Sequence, residues 1–533
     1  MCGIAGYVGD RESADVLVDA LSKLEYRGYD SAGIAVFDHG NIKVKKCKGR
    51  LANLVEKMDE EGKPQGHVGI GHTRWATHGE PSDINSHPHG NKRVTIVHNG
   101  IIENYKKLKD FLIGEGYSFA SETDTEVAAK LLDYYYDGDP MKTIAKVLSE
   151  IKGSYALGIM FRDFPDEIFA VRKDSPLIVG VGEHENFIAS DVPAIIHYTR
   201  DYYLLDQNEI AVIKKDSVKI YDVHGNEIHK ELNTADWDVD AAEKGGYAHF
   251  MLKEIHEQPD SVKRTIMPRI TDDMPDFSAE GFNPDKLKSY KNIYIVACGT
   301  AMHAGMVGKY IIEKIARVSV TVDIASEFRY RDPLINEGDL MIVISQSGET
   351  ADTLASLKLA KENNIDTLAI VNRHESSIAR EAKYVIYTEA GIEVAVATTK
   401  AYLAQVLVLL FLAIKGSSIE EETINSLKPL PNIFTKYINE YNYEEISKIM
   451  VNKTNIFYLG RLVDYYLAME GSLKLKEISY IHSEAFQAGE LKHGSISLID
   501  KDFGVIAVVT DKEISEKTIS NLKEVESRGA NIV

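Results

Sequence analysis

The sequence predicts an α+β amino-terminal half, built of antiparallel sheets with helices outside them, followed by two doubly wound α/β modules. The length of 533 residues suggests roughly three domains, at about 100–200 residues per domain. In the first half, short alternating apolar runs recur with few crossover helices, which is typical of antiparallel sheets. From about residue 253, short continuous apolar runs end in small polar residues and helical segments follow, as in a parallel sheet covered on both faces.

Composition and charge limit the functions that the chain can have. With 44% hydrophobic and 27% charged residues, each domain can bury a core. The 81 acidic residues outnumber the 61 basic ones, and a surface with a formal charge of −20 repels phosphate backbones, so nucleic-acid binding is not expected. The charge does not exclude an anionic small molecule held in a local pocket.

The cysteine count and the apolar runs indicate a cytoplasmic protein without membrane association. The three cysteines are too few for a disulfide scaffold or a four-cysteine zinc site, and Cys47 is interpreted as an ordinary thiol. The start of the chain lacks the features of a signal peptide. The longest apolar run, from Val406 to Ile414, is shorter than the ~18 residues of a membrane span and predicts a buried helix.

The change of pattern along the chain gives the predicted domain boundaries. Residues 1–238 form the α+β domain, in which TDTEVAAKLLDYYY from Thr123 has the acids and the threonine of a helix N-terminus. A polar segment with two adjacent glycines predicts a linker over 239–252. The two α/β modules are expected at 253–427 and 428–533.

The α/β half contains a weak internal repeat. IYIVACGT at Ile293 is similar to IFYLGRLV at Ile456, and the segment from Leu340 is similar to the one from Val505. The first module continues beyond its TLAIV strand, whereas the second stops at the equivalent strand, ANIV. By this repeat, roughly 50 or more residues are expected to be missing, so the chain is predicted to be C-terminally incomplete.

The second residue is a candidate nucleophile. If Met1 is removed, Cys2 carries both a thiol and an α-amine, and an amine with a pKa of about 7.7–8.0 can take the thiol proton. Taken alone, a cysteine at this position is more simply incidental.

Glycine-flanked polar motifs accompany Cys2 and favour the catalytic interpretation. They are YRGYDSAG from Tyr26, GHTRWATHG from Gly71, HNGIIENY from His98 and SETDTE from Ser121. Glycines let the backbone come close to a ligand. Arg74 suits a carboxylate and Asp124 an ammonium group. The Asn99 side chain and the Gly100 backbone N–H are a candidate pair of donors for a developing oxyanion.

Two strand-to-helix loops in the α/β half predict an anion site. CGTA at Cys298 and SQSGET at Ser345 place backbone N–H groups and positive helix ends at strand ends, where α/β folds bind ligands. Helix capping by serine and threonine is the alternative, and two such loops in one sheet favour a ligand. Neither loop matches the GxxxxGK pattern followed by Ser or Thr, so a nucleotide P-loop is disfavoured.

Other charged and histidine patterns are more ambiguous. Glu470, Lys474 and Glu477 are spaced i, i+4, i+7 on one face of a predicted helix, which for most sequences indicates a salt-bridged exposed stripe. His87 and His89, in SHPHG, suggest a metal pair only weakly because the loop offers no further ligands, so a solvated or hydrogen-bonded loop is expected.

The motifs occur together in the order of a known family. They are CGIAGYVG, YRGYDSAGIA, GHTRWATHG, HNGIIENY, CGT, SQSGET, TTKAY and KLKEISYIHSEAF with GELKHG. With them the whole chain resembles the glutamine–fructose-6-phosphate aminotransferase (isomerising), or glucosamine-6-phosphate synthase, family. The front half resembles a class II glutamine amidotransferase of the N-terminal-nucleophile type, an αββα sandwich, and the back half resembles two sugar-isomerase (SIS) domains.

The resemblance implies a reaction and its place in metabolism. Glutamine would be hydrolysed at the front site, and ammonia channelled to the back site would aminate and isomerise fructose 6-phosphate. The products would be glucosamine 6-phosphate and glutamate, in the first step of hexosamine and UDP-N-acetylglucosamine synthesis.

The resemblance also implies roles in the front half. Cys2 attacks the glutamine amide, and Asn99 and Gly100 form the oxyanion hole. Trp75 lies on the mobile loop that closes the site and gates ammonia, an interpretation favoured over a core aromatic because its loop is polar and glycine-flanked. The implied glutamine-binding residues are Arg74, Trp75, Thr77, His78, Gly79 and Asp124.

In the back half, the resemblance implies that Glu477 moves a proton between sugar C2 and C1, supported by Glu470 and Lys474. His493 assists ring opening and comes, in the family, from the neighbouring subunit, which implies a homodimer through the SIS domains. The implied sugar-phosphate contacts are Cys298, Gly299, Thr300, Ser345, Gln346, Ser347, Thr350, Val396, Thr398, Glu470 and Lys474. A proton transfer of this kind needs only a carboxylate, so neither a metal nor a cofactor is expected.

The sequence departs from the family pattern at several positions. Ala301 and Thr398 stand where serines are usual, and HGS at His493 replaces HGP. No segment matches the family's C-terminal tail, whose lysine forms an imine with fructose 6-phosphate, so these residues are expected to lack full synthase activity. The alternative is a glutaminase joined to a non-catalytic sugar-phosphate-binding SIS module. A phosphoribosyl-type amidotransferase is disfavoured, since the sequence has no acidic pyrophosphate-binding strand and loop.

Overall fold

The computed structural model describes residues 2–76, 78–91, 93–235, 244–374, 376–415 and 417–533. The chain divides between residues 243 and 244 into two compact units. Of the predicted linker at 239–252, the part before residue 244 lies outside the described residues, as does Thr77.

The first unit alternates strands and helices in an α+β pattern. Its strands are β1 (Gly3–Val8), β2 (Ser31–Asp38), β3 (Asn41–Lys48), β4 (Val68–Arg74), β5 (His89–Gly90), β6 (Val94–Ile102), β7 (Gly153–Phe161), β8 (Ile168–Lys173), β9 (Ile178–Val181), β10 (Asn186–Ala189), β11 (Asp201–Leu204), β12 (Ile210–Lys214), β13 (Ser217–Tyr221), β14 (Glu227–Ile228) and β15 (Asn233–Thr234). Its helices are α1 (Ser13–Ser22), α2 (Leu51–Glu61), α3 (Tyr105–Gly114), α4 (Asp124–Tyr135) and α5 (Pro140–Glu150).

These strands form two antiparallel sheets that pack face to face. The first sheet has the order β15-β11-β9-β10-β1-β4-β2-β3, and the second has the order β14-β13-β12-β8-β7-β6-β5. In β1, Ile4 and Val8 enter the core between the sheets, whereas Ala5 and Tyr7 pack into the core under α1 and α2. The second sheet buries its other face against α3, α4 and α5. The predicted αββα sandwich is therefore confirmed.

The second unit begins with helices and continues as parallel α/β structure. Its helices are α6 (Phe250–His256), α7 (Gln258–Ile266), α8 (Gly299–Ile315), α9 (Ala325–Phe328), α10 (Ala351–Glu362), α11 (Ser377–Glu381), α12 (Lys400–Ile414), α13 (Glu420–Leu427), α14 (Leu430–Glu440), α15 (Tyr443–Met450), α16 (Val463–Ser479) and α17 (Ser515–Glu526). Its strands are β16 (Ile270–Thr271), β17 (Met274–Pro275), β18 (Ile293–Ala297), β19 (Val320–Ile324), β20 (Leu340–Ser345), β21 (Asp366–Val371), β22 (Tyr384–Tyr387), β23 (Asn455–Gly460), β24 (His482–Gln487), β25 (Gly504–Ala507) and β26 (Asn531–Ile532).

Two parallel sheets organise this unit. Their strand orders are β19-β18-β20-β21-β22 and β24-β23-β25-β26. In β18, Ile293 and Ile295 pack into a core shared with α8 and α12, whereas Val296 faces the core under α9 and α10. Helices therefore cover both faces of the first sheet, which confirms the predicted doubly wound pattern.

The internal repeat is also confirmed by the sheet orders. In each sheet the first strand along the chain is interior, the second lies on one side of it, and the third and fourth follow on the other side. The apolar run from Val406 to Ile414 lies in α12, where Leu409 and Phe411 are fully buried, as predicted. Among the described residues, no helix combines the length and the apolar character that a membrane crossing requires.

Candidate active sites

In the first unit, Cys2 precedes β1 at the end of the sandwich where the polar motifs meet. Its Sγ accepts the Trp75 backbone N–H at 3.2 Å, and its carbonyl oxygen accepts bonds from Arg27 Nε at 3.0 Å and Asn99 Nδ2 at 2.9 Å. Burial raises the pKa of the Cys2 thiol, and the Trp75 N–H and the Arg74 guanidinium only partly oppose that shift. A thiol that stays protonated at neutral pH needs a base before it can attack.

Asn99, on β6 of the second sheet, is held beside Cys2 by two further groups. Its Nδ2 also donates to Ser190 Oγ at 2.9 Å, and its Oδ1 accepts a bond from His72 Nε2 at 2.9 Å. Ser190 Oγ in turn accepts the Ile4 backbone N–H at 2.8 Å. The carboxamide orientation is therefore fixed with its NH₂ group toward Cys2. Because that group bonds to the Cys2 main chain here, its role as an oxyanion donor stays a prediction.

Gly100 follows Asn99 in a conformation that only glycine adopts readily. Its φ is 129°, and a Cβ at this position would lie 2.1 Å from the Ser154 carbonyl oxygen. The close pairing of β6 with β7 thus requires a residue without a side chain directly after Asn99.

Arg74 and Asp124 bring buried charges of opposite sign to the site. Arg74 Nη2 donates to the carbonyls of His78 and Gly79, while its Nη1 is buried with no hydrogen-bond partner among the described residues. An unpaired buried guanidinium nitrogen is costly and fits a ligand carboxylate. Asp124 is buried at the first position of α4, where its Oδ2 accepts the Ile102 N–H at 2.8 Å.

The loop after Arg74 is partly exposed. Trp75 is 37% exposed and lies edge-on to the Tyr29 ring at a centroid distance of 5.4 Å, so the alternative of a core aromatic is wrong. Asp30 Oδ2 accepts the Ala76 N–H at 2.8 Å and ties this loop to the preceding motif. A Cβ on Gly28 would lie 2.6 Å from Trp75 N, so this glycine permits the close approach of the two loops.

Four histidines are packed behind Asn99. They are His72, His87, His89 and His98, and all are buried. The rings of His72 and His87 stack at 4.1 Å. Burial lowers the pKa of His72 and of His89 to about 3, and it also lowers the pKa values of His87 and His98. All four rings are therefore neutral at neutral pH.

The hydrogen bonds of these rings explain why the histidines are present. Both partners of His72 Nε2 are acceptors, the Asn99 Oδ1 and the His98 carbonyl, so this nitrogen carries the proton. His89 Nε2 bonds to Thr123 Oγ1 at 3.1 Å. The expectation of a solvated SHPHG loop is wrong because the loop is buried, and its hydrogen-bonded alternative is confirmed. In the described part of the chain, no three His, Cys, Asp or Glu side chains are grouped to hold a metal.

In the second unit, the two predicted loops lie at the carboxyl ends of the neighbouring strands β18 and β20. Cys298 precedes α8, and the loop from Ser345 to Thr350 precedes α10. Ser345 Oγ accepts the Gly348 N–H at 3.0 Å and lies 2.9 Å from Thr350 Oγ1. Gln346 and Ser347 are half-buried in this loop. Two helix N-termini therefore meet at one sheet edge, the arrangement expected for an anion site.

Glu470, Lys474 and Glu477 face the first α/β module from α16. Lys474 Nζ lies 2.6 Å from Glu477 Oε2 and 3.3 Å from Glu470 Oε1. Thr300, at the start of α8, donates to Glu470 Oε1 at 2.9 Å and accepts from Lys474 Nζ at 3.0 Å. Glu470 is only 6% exposed, so the interpretation of these residues as an exposed stripe is wrong.

His303 completes this cluster and was missed by the sequence analysis. It is buried on α8, and its Nδ1 lies 2.7 Å from Glu470 Oε2, a carboxylate oxygen that can only accept. Thr300 and His303 are spaced i, i+3 on one helix face, and this spacing was the available signal. The cluster joins the two modules through α8 and α16.

The remaining predicted sugar-site residues are less closely grouped. Val396 is exposed, and Thr398 donates its hydroxyl to Glu393 Oε2 at 2.9 Å. His493 lies in a short 3₁₀ turn with an exposed side chain that makes no hydrogen bond among the described residues. The structure thus brings Glu477 and Lys474 together but does not join His493 to them.

Ser190, His72 and Asp30 are further site residues that sequence reasoning missed. Each acts on a predicted residue or loop from a distant part of the chain: Ser190 lies 91 positions from Asn99. His72 and Asp30 lie in the GHTRWATHG and YRGYDSAG motifs, which were the available signal, whereas Ser190 lies in no such motif and its contact depends on how the two sheets are paired.

Family profiles match both units. A glutamine amidotransferase domain profile matches residues 72–197, and a SIS domain profile matches residues 286–415 and 449–533. The glutamine–fructose-6-phosphate aminotransferase (isomerizing) of Caldanaerobacter subterraneus is 55% identical over all of this chain and 90% of its own length. The chain belongs to the glutamine–fructose-6-phosphate aminotransferase (isomerising) family.

Two further relatives agree with this membership. The aminotransferase of the same name from Clostridium tetani is 54% identical over all of this chain and 90% of its own length. Among solved structures, the C-terminal domain of glucosamine-fructose-6-phosphate aminotransferase from Francisella tularensis is 42% identical, with a TM-score of 0.51 over 54% of this chain and 84% of that one. The family resemblance read from the motifs is therefore confirmed.

Proposed function

We propose that this chain is a glutamine–fructose-6-phosphate aminotransferase, which converts glutamine and fructose 6-phosphate to glutamate and glucosamine 6-phosphate. The observation that carries the proposal is the presence, in one family member, of the Cys2 site in one unit and the Lys474–Glu477 site in the other. The first site has the chemistry for amide hydrolysis, and the second has the chemistry for proton transfer on a sugar phosphate.

Cys2 is the nucleophile of the first half-reaction. After removal of Met1, the Cys2 α-amine takes the thiol proton, and Sγ attacks the side-chain amide carbon of glutamine. The C–N bond breaks, the side-chain amide nitrogen takes the proton from the Cys2 amine and leaves as ammonia, and water hydrolyses the thioester to give glutamate. Asn99 and the Gly100 N–H stabilise the oxyanion, and Arg74 and Asp124 hold the carboxylate and the ammonium group of glutamine. Thr77, His78 and Gly79 belong to the same binding loop, and Trp75 closes it.

Glu477 is the base of the second half-reaction. It moves a proton between C1 and C2 of the aminated sugar, while Lys474 holds its carboxylate and Glu470 fixes Lys474. The phosphate lies at the N-termini of α8 and α10, near Cys298, Gly299 and the loop from Ser345 to Thr350. Ammonia passes from the first site to the second.

The same proposal includes the assembly and the cellular location. An exposed His493, set apart from Glu477 within one chain, supports a homodimer in which the partner supplies this histidine. The few cysteines support a cytoplasmic enzyme. The predicted domain boundaries at 1–238, 253–427 and 428–533 remain part of this proposal.

The test supplies the complete parent protein with glutamine and fructose 6-phosphate and measures glutamate and glucosamine 6-phosphate. We expect both products in equal amounts, and we expect Cys2→Ala to form no glutamate while an ammonium salt still supports amination. Full glutamine-dependent activity of Cys2→Ala, or glutamate release without any sugar product, contradicts the proposal.

A second candidate is a glutaminase joined to a SIS unit that binds sugar phosphate without converting it. If the chain stays a monomer, so that no partner supplies His493, the separation of His493 from Glu477 favours it. Measurement of fructose 6-phosphate binding alongside its isomerisation separates the two candidates, because only the first predicts turnover.

A further inference from the structure

The consecutive helices α6 and α7, joined through Glu257, run beside the segment 387–400, which carries Val396 and Thr398. Thr265 Oγ1 donates to the Thr388 carbonyl at 2.7 Å, and Arg264 Nη2 donates to the Ala390 carbonyl at 2.9 Å. Further along, Lys400 Nζ pairs with Glu257 Oε2. The helices α6 and α7 therefore contact this segment along its length, from Thr388 to Lys400.

Glu254, on α6, makes the central contact between these two helices and the segment. Its Oε1 accepts two consecutive backbone N–H groups, from Val394 and from Ala395. The side chain is 2% exposed, and its Oε2 is buried with no hydrogen-bond partner in the described part of the chain. Burying a carboxyl group with one oxygen unpaired costs free energy, so its presence here needs an explanation. The two bonds that it accepts from the backbone of the segment supply one.

A second carboxyl group fixes the other side of Val396. Glu393 Oε1 accepts the Thr399 N–H at 2.7 Å, and Glu393 Oε2 accepts the Thr398 hydroxyl at 2.9 Å. Val396 lies between the two carboxyl groups and is 47% exposed. An apolar side chain is thus presented to solvent from a backbone that is fixed on both sides.

We propose that Glu254 is a positioning residue for the sugar-phosphate site, because it holds Val394 and Ala395 so that Val396 and Thr398 face the substrate. This inference rests on the proposed function, which places these two residues beside the sugar phosphate. Glu254 touches no substrate and acts only through the segment 387–400.

The electrostatic surroundings support the protonated state. Burial raises the pKa of Glu254 to about 8, the Glu393 carboxyl group adds to that shift, and Lys400 opposes it. The other charged groups nearby are Lys253 on α6 and Glu257 directly after it, and Glu257 pairs with both Lys253 and Lys400. Burial raises the pKa of the neighbouring Glu393 as well. Ionisation of Glu254 above about pH 8 therefore places a negative charge in a buried space shared with that carboxyl group, and this favours release of the segment.

The test compares fructose 6-phosphate binding by calorimetry at pH 7 and pH 9 for the wild type, Glu254→Gln and Glu254→Ala. Glutamine is the shape of the protonated acid and cannot ionise. We expect Glu254→Gln to bind within about twofold of the wild type at pH 7 and to lack the weakening of up to about tenfold that the wild type shows at pH 9. Glu254→Ala is expected to bind at least about tenfold more weakly at both pH values, with glutamine hydrolysis unchanged.

Asp260→Asn on the exposed side of α7 makes the same chemical change away from the segment and is expected to bind as the wild type does. If Glu254→Gln binds as weakly as Glu254→Ala, or keeps the alkaline weakening, the inference is wrong. If Glu254→Ala does not fold, the pH dependence of Glu254→Gln alone decides. A wild type that does not bind fructose 6-phosphate overturns the proposed function, and this inference with it, whereas normal binding by Glu254→Ala overturns the inference alone.

Discussion

Two residues beside the proposed nucleophile are held in place by close packing and by hydrogen bonds. Gly100 combines a φ of 129° with a carbonyl oxygen 2.1 Å from the place of a Cβ. Asn99 is fixed through His72 and Ser190. We infer that both residues serve to place hydrogen-bond donors beside Cys2.

Gly100→Ala is expected to abolish glutamine hydrolysis, with a loss of at least about 100-fold in kcat, because the backbone must move to relieve the clash. The measurement is glutamate release. Gly114→Ala in α3 is the matched control: a Cβ there contacts nothing within 4 Å, so activity should be unchanged. Equal activity of the two variants contradicts the geometry assigned to Gly100.

Substitutions of His303 test the role of its contact with Glu470 in the second site. His303→Asn keeps a donor near the place of Nδ1, whereas His303→Leu leaves Glu470 without it. We expect His303→Leu to lower kcat for glucosamine 6-phosphate formation by about tenfold with little change in the KM for fructose 6-phosphate. His303→Asn should recover most of the rate. No recovery by asparagine indicates that the packing of the ring, rather than its hydrogen bond, matters.

At the scale of elements, several of the proposed site residues lie at the N-termini of helices. Asp124 opens α4 directly after Thr123, whose Oγ1 accepts the Glu126 N–H at 3.2 Å. The ends of α8 and α10 lie at the predicted phosphate site. A helix end places a side chain and several backbone donors together, which explains why both sites use them.

Thr123→Ala is expected to lower the free energy of unfolding of the first unit by about 0.5–2 kcal/mol, because α4 loses its N-terminal cap. It should also weaken glutamine binding, since Asp124 is the next residue. Thr123→Ser keeps the hydroxyl and should stay within about 0.5 kcal/mol of the wild type. Urea unfolding measures the first effect, and an equal loss in both variants contradicts the capping role.

Most elements could be predicted from the sequence, and their contacts could not. The alternating apolar run in β2, the acidic start of α4 and the apolar run in α12 are local patterns, and each corresponds to an element of the structure. The burial of His87 and Glu470 was not predicted, because it depends on neighbours far along the chain. His303 and Glu254 were missed for the same reason: their partners, Glu470 and Val394, are 167 and 140 positions away.

At the scale of the whole molecule, the buried histidines make the first unit sensitive to acid. The folded-state pKa of His72 and of His89 is about 3, below the ordinary value near 6.5 of the unfolded chain. Below pH 6.5 the unfolded state therefore binds more protons than the folded state, so stability falls as the pH falls toward 3. Each such histidine contributes a slope of about 1.4 kcal/mol per pH unit in that window.

Urea unfolding at pH 7 and pH 5 measures this effect through tryptophan emission, since both tryptophans, Trp75 and Trp237, precede residue 243. We expect a clearly lower midpoint at pH 5. An unchanged midpoint contradicts the assignment of neutral, buried histidines behind Asn99.

We infer that the Cys2 amino group activates its own thiol, which then releases from glutamine the ammonia that the second unit uses. The most direct test measures glutamate release from protein whose intact mass shows Met1 either removed or retained. We expect release only after Met1 has been removed. Equal rates from both forms contradict it.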